Sequence, residues 1–247
     1  RQTPTTRPSR RISVQNPIDA ALSDPWTTMD SFVDGPLHPG GRAATEALLD
    51  RAGVGTDTRL VDVGCGAGDA LELARQRGAD AVGVDRDAGG GRTLRGDMGQ
   101  LPLQDASADV VLSECVLCLS DSLPRALAET RRVTRPGGRL ALSDVVVDGA
   151  LPGLPDTVAE AFCLTGTRDR DALLAAVEEA GYTVETTRDH REDLLAMRDE
   201  MAQQVDYEGL LGLLGERGQR ALDAIETLEA AVEDGTISYL STVATAE

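Results

Sequence analysis

Lysine is absent from this 247-residue chain, and every one of its 24 basic residues is arginine. Against them stand 42 aspartates and glutamates, for a formal charge of -18. A surface this negative repels phosphate backbones, which removes the usual electrostatic footing for DNA or RNA binding. Aromatic residues are equally scarce, at one Trp, three Tyr and two Phe. The core must therefore come from Leu, Val and Ala. No apolar run approaches the roughly 20 residues that a bilayer-spanning helix requires, so no membrane partner is expected. The basic, Pro- and Thr-rich start RQTPTTRPSRR is followed by no hydrophobic stretch, so it reads as a disordered arm and not as a secretory signal. A cytoplasmic chain is the expectation, and in that compartment its four cysteines are not expected to form a structural disulfide.

The excess of acid together with arginine in place of lysine resembles the composition of proteins from extreme halophiles. Such surfaces stay soluble in molar salt, which screens their self-repulsion.

The order of elements is legible. Helical spacing marks GGRAATEALLDRAG (40–53), DALELARQRG (69–78), SLPRALAETRRV (122–133), DRDALLAAVEEAG (169–181) and GERGQRALDAIETLEAAVEDG (215–235). Short apolar runs mark strands at RLVDVG (59–64), DAVGVD (80–85), the start of ADVVLSECVLCL (108–119), YTVETTRD (182–189) and ISYLSTVATA (237–246). RPGGRLALSDVVV (135–147) reads as a turn feeding a long strand. Strands alternating with helices predict an α/β fold with a mostly parallel sheet covered on both faces. One domain is expected over 16–247, after an arm at 1–15. Within it, 16–55 forms an N-terminal cap, 56–190 the core, 191–236 a helical insertion and 237–247 the last strand.

VDVGCGAGDA (61–70) follows the first strand and opens a helix. Gly64, Gly66 and Gly68 leave out side chains so that the backbone can approach a ligand closely. Their G-x-G-x-G spacing differs from the G-x-G-x-x-G of dinucleotide sites and points to a ligand without a pyrophosphate. Asp85 ends the second strand, placed to accept hydrogen bonds from ribose hydroxyls.

These residues carry a resemblance. D-V-G-C-G-A-G, V-G-V-D, G-D-M-x-x-L-P (96–102), A-D-V-V-L-S-E (108–114) and R-P-G-G-R-L (135–140) occur in the order seen in class I S-adenosylmethionine-dependent methyltransferases. That likeness covers about residues 40 to 190. It implies a Rossmann-like fold with a seven-stranded sheet, and S-adenosyl-L-methionine as cofactor. It also implies that Asp62 and the loop of Gly64, Cys65, Gly66 and Gly68 hold the methionine end. Asp85, with Arg86 beside it, would take the ribose. Asp97 and Met98 would take the adenine, and Glu114 and Cys115 would sit by the sulfonium. Solvated loop acids or turn caps are the plain alternative for Asp97 and for Asp109. Many of these enzymes carry a cysteine where Cys65 stands, so no chemistry is assigned to it.

The remaining cysteines admit several uses. A structural zinc site wants four ligands, and a lone C-x-x-C at 115 and 118 has only Cys163, His38 and His190 to add, at irregular spacing. A redox C-x-x-C belongs at a helix N-terminus, whereas this pair follows a strand. Burial as small hydrophobes remains open, as does binding of a soft, thiophilic substrate. SECVLCLSD followed by CLTGT (163–167) is similar to the arsenite methyltransferase group. On that likeness Cys115 and Cys163 are arsenic-binding thiols that hold the arsenic lone pair in line with the methyl group. The likeness has gaps. No cysteine precedes Cys65, none follows Cys163, Glu114 replaces a usual Asn and Thr167 a usual Ala. Two thiols would suit a methylated arsenical, and arsenite would call on Cys118 as a third. On a regular strand Cys118 would face away from Cys115, so it joins them only where the chain has already turned.

A small amine or oxygen acceptor is the rival expectation. GPLHPGGRAATEALL (35–49) resembles the N-terminal segment of small-molecule methyltransferases, including those acting on methylated glycines. His38 would there be a base or an acceptor contact, or else a plain capping residue. Trp26, Phe32 and Tyr207 would wall a cationic amine by cation–π contact. A third class of function is binding of the cofactor without turnover. The helix-rich tail from Asp189 onward would cover the pocket or join two copies in a homodimer.

Overall fold

The computed structural model describes residues 38–87, 92–151, 154, 159, 162–166, 168–204, 207–213 and 215–247. The expected arm, Trp26 and Phe32 lie outside these residues, as does the side chain of Tyr207.

The described elements run α1 (Gly41–Arg51), β1 (Arg59–Val63), α2 (Asp69–Gln76), β2 (Asp80–Asp85), β3 (Thr93–Arg95), β4 (Ala108–Glu114) and α3 (Leu123–Val133). They continue with β5 (Thr134–Val147), α4 (Arg170–Glu179), β6 (Tyr182–Asp189), α5 (Arg191–Gln204), α6 (Tyr207–Gly212), α7 (Glu216–Glu233) and β7 (Ile237–Ala246). The sheet has seven strands in the order β3-β2-β1-β4-β5-β7-β6. Only β7 breaks the parallel run, pairing antiparallel with both β5 and β6.

Side chains that alternate along each strand supply two cores. On one face Leu60, Ala81, Val110, Leu112 and Ala141 meet Leu48 and Leu49 of α1 and Leu71 and Ala74 of α2. On the other, Val61, Val84, Val111, Leu140 and Leu142 meet Ala126 and Leu127 of α3 and Leu173 and Val177 of α4. Each Leu or Val fully buried here contributes about 1.5–3 kcal/mol. Helix starts follow local chemistry. Asp169 caps α4 by accepting the Ala172 N–H at 2.7 Å, and Gly68, with φ 94°, turns the chain into α2.

The expected turn at 135–138 survives as a bulge inside β5. Ala108 pairs with Thr134 and Val110 with Arg139, so the residues between loop out, with Gly137 at φ 71°. β3, only three residues long, was too short to announce itself in the sequence. Among the described residues no helix is long and apolar enough to cross a membrane.

Candidate active site

Beyond the carboxyl ends of β1, β2 and β4 lies a cleft of about 450 Å³. This is where open α/β sheets bind ligands. The loop after β1 forms its floor, with Gly64 at φ 78° and Gly66 at φ 47°. At both positions an L side chain would be strained. At Gly64 a Cβ would also fall 2.4 Å from a Val116 methyl, so the glycine lets this loop touch the turn that carries the cysteines.

Asp62, Cys65, Gly66, Asp85, Arg86, Met98, Glu114 and Cys115 all line the cleft. Asp85 steadies the loop by accepting the Gly66 N–H at 3.0 Å through one oxygen and the Asp87 N–H at 2.9 Å through the other. Asp62 is buried, and its Oδ2 has no hydrogen-bond partner among the described residues. Burial, then the nearby Glu114 and Asp85, push its carboxyl well above the usual range. Gly68 caps α2 behind the loop. Asp97 does not line the cleft; its side chain accepts the Gly99 N–H at 2.8 Å and so caps its own turn, leaving Met98 as the lining residue there. Arg132 and Glu129 of α3 pin this segment through Leu101 and Leu103. Cys65 packs over Gly83, where any Cβ would lie 2.4 Å from its sulfur, and burial drives its thiol up to about 12.

At the end of β4, Glu114 meets α1. Its oxygens lie 3.0 and 3.3 Å from the Thr45 hydroxyl, which also lies 3.0 Å from His38 Nε2. His38 Nε2 stands 3.5 Å from Glu114 and its ring stacks on Tyr239. Burial acts on both titratable groups, raising Glu114 to about 7 and lowering His38. Thr45 was not legible as a site residue, because it lies 69 positions from the carboxyl it serves.

The cysteines come together. β4 stops at Glu114, Cys115 turns to φ 56°, and a single 3-10 turn follows at Leu117–Leu119. Cys118 is thus off the strand, and the alternation that would have turned it away no longer applies. Cys163 arrives from the segment after β5, also left-handed at φ 57°. Two non-glycine residues in this conformation mark a locally strained site. The Sγ atoms of Cys115, Cys118 and Cys163 all lie within 4.8 Å of one another, with Cys115 and Cys163 at 3.5 Å. Hydrogen bonds from the Cys115 and Cys118 thiols pull Cys163 down to about 5, whereas Cys115, which donates to Cys118 and to Cys163 and is buried, holds its proton well above the usual thiol range. Contact with Cys115 favours ionised Cys118, but Cys163 and burial outweigh it and push Cys118 up to about 12. His190 is elsewhere, bonded to Asp193 and Ser241 at 2.7 Å each.

Sequence and structure comparisons agree with this architecture. Residues 61–142 match a methyltransferase domain. The chain is 35% identical over 145 residues to the arsenite methyltransferase of Halobacterium salinarum, covering 50% of this chain and 37% of that protein. It is also 35% identical over 168 residues to the methyltransferase GfsG of Streptomyces halstedii, covering 59% and 60%. The chain thus spans less than two thirds of the length of either relative. A solved geranyl diphosphate methyltransferase in complex with SAM superposes with a TM-score of 0.69 at 22% identity, covering 93% of this chain and 95% of that one. Ordered motifs and sheet topology thus agree with the methyltransferase domain that residues 61–142 match.

Proposed function

We propose that the protein transfers the methyl group of S-adenosylmethionine to a trivalent arsenical held by Cys115, Cys118 and Cys163. The carrying observation is the convergence of three sulfurs, of which Cys115 lines the glycine-loop cleft while Cys118 and Cys163 lie buried against it. Thiols favour soft centres, and trivalent arsenic takes three ligands in a pyramid with its lone pair free. Each sulfur forms As–S as one As–OH leaves as water, the proton for that water coming from the thiol itself or, at an already ionised sulfur, from solvent. A tetrahedral zinc ion would need a fourth ligand. The carboxyl next to the trio, Asp144, already accepts backbone N–H groups through both oxygens.

The residues present fit the cofactor. Asp62 offers an unpartnered buried oxygen to the ammonium of the methionine end, and the Gly64–Gly68 loop leaves room for its backbone. Asp85 and Arg86 serve the ribose and Met98 the adenine. Bound there, the cofactor supplies an electrophilic methyl group. The thiols hold the arsenic lone pair toward the cleft, so rate comes from positioning and no base is needed. In this reading residues 16–247 form one domain, with 191–236 inserted before the last strand. The protein works in a salt-rich cytoplasm.

The test is titration of arsenite and methylarsenite into purified protein in high salt, with Cys115→Ser, Cys118→Ser and Cys163→Ser beside the wild type. Each variant should weaken arsenite binding at least about tenfold, the loss of roughly 1.4 kcal/mol. Methylarsenite, with two exchangeable ligands, should be less sensitive to Cys118→Ser. Affinity indifferent to all three substitutions would end the arsenical reading. One observation favours an amine or oxygen acceptor instead: the buried His38–Thr45–Glu114 group at the cleft could take a proton. His38→Asn separates the two. Transfer to arsenic should keep its rate, whereas transfer to an amine or hydroxyl should fall about 100-fold.

A further inference from the structure

A C-x-x-C that follows a strand does not by itself point both sulfurs one way. Beyond β4 the turn must be held from outside, because a single 3-10 turn contributes little of its own. Its internal bonds run from Leu119 N–H to Val116 O and from Ser120 N–H to Leu117 O. The Cys118 N–H takes no part in them and instead donates to Asp144 Oδ2 at 2.9 Å. Asp144 sits on β5, buried to 3% exposure, and its Oδ1 accepts the Val145 N–H at 2.9 Å. Neither oxygen meets a cationic side chain in any described hydrogen bond or ion pair. Such a buried carboxyl is costly unless its bonds do something. The other side of Cys118 is closed by Gly166, where a Cβ would fall 2.2 Å from the Cys118 carbonyl oxygen. That segment is tied to β5 in turn, the Val147 N–H reaching Arg168 O at 2.9 Å.

We propose that Asp144 is a positioning residue that seats Cys118 as the third thiol, so that the site takes a substrate with three exchangeable ligands. The proposal rests on the arsenical reading for its substrate, but not for its geometry. Asp144 touches no substrate. It holds the amide of Cys118, and the close passage of Gly166 fixes the carbonyl, so the side chain is left facing Cys115 and Cys163. Without the carboxyl the turn relaxes and the site reverts to a pair of thiols.

Two readouts test this on Asp144→Leu, which keeps the branch at Cγ and loses both acceptors, and on Asp144→Ser, whose oxygen is too short to reach. X-ray absorption at the arsenic edge should count three sulfur neighbours on arsenite in the wild type and two in either variant, as in Cys118→Ser. Arsenite affinity should fall to that of Cys118→Ser, and the Asp144→Leu/Cys118→Ser double variant should bind no more weakly than Cys118→Ser alone. S-adenosylhomocysteine affinity should be kept, which excludes general unfolding. The second readout needs no arsenic: brief oxidation with diamide and peptide mapping should find Cys118 in disulfides in the wild type, and only Cys115–Cys163 in the variants. Three sulfurs in the variants, or unchanged Cys118 cross-linking, would overturn the proposal. Loss of Cys118 cross-linking in a protein that binds no arsenite would support Asp144 while sinking the arsenical.

Discussion

Gly83 and Cys65 show how one missing side chain sets the use of another. The Cys65 sulfur occupies the space a Cβ at position 83 would need, with Leu71 closing the third side at 2.8 Å. Gly83→Ala should therefore cost about 1–3 kcal/mol, as overpacking does, and Cys65→Ala should restore part of it in the double variant. Chemical denaturation reads both. A neutral Gly83→Ala would mean that Cys65 is free to move and that its assignment to packing is wrong. That the glycine loop, Asp62 and Asp85 share one cleft was legible because their spacing is local and their context, strand then loop then helix, is in the sequence. Glu114's partners were not, since Thr45 and His38 come from the other end of the domain. Nor was Asp144, whose role appears only once Cys118 is seen to leave the strand.

At the scale of elements, the site depends on strands being held in register at their far ends. Asp109, at the start of β4, bonds the Arg59 backbone N–H at 2.8 Å and side chain at 3.0 Å, and also pairs with Arg135 of the β5 bulge. These contacts, the Arg59 side chain foremost, hold its carboxyl well below the usual aspartate value. A depressed carboxylate adds stability that is complete above the unfolded value of about 4 and is lost as pH falls below it. The arginines are half exposed, so screening limits the contribution to about 1 kcal/mol. Asp109→Asn should lower the denaturation midpoint at neutral pH by that amount and flatten its fall in acid. An unchanged acid slope would assign that fall to other carboxylates. The sequence disclosed β1, β2, β4 and β7 through their apolar runs. The bulge in β5 stayed hidden because a Pro-Gly-Gly step looks the same in a turn as in a bulge.

The whole molecule carries a formal charge of -18 with no lysine to offset it. Screening shortens from about 10 Å at 0.1 M salt to about 3 Å at 1 M. If the acid excess is an adaptation to salt, the melting temperature should rise by about 5 °C or more over that range, since roughly 2–4 °C corresponds to 1 kcal/mol at this size. A flat response would leave the composition without a salt rationale. The acidic shell also surrounds a cleft with carboxyls of its own, and a cation entering it would draw the raised Asp62 and Glu114 back toward ionisation.

The central claim is that three converging thiols, with Cys115 at this cleft, present trivalent arsenic to the methyl donor. Its most direct test is a single-turnover assay in molar salt, with methyl-labelled S-adenosylmethionine, arsenite and enzyme in excess, and arsenic products separated by chromatography. Labelled methylarsenic from the wild type, and none from Cys115→Ser or Cys163→Ser, is the predicted result. Label that never reaches arsenic, or reaches it equally in all three proteins, would contradict the account.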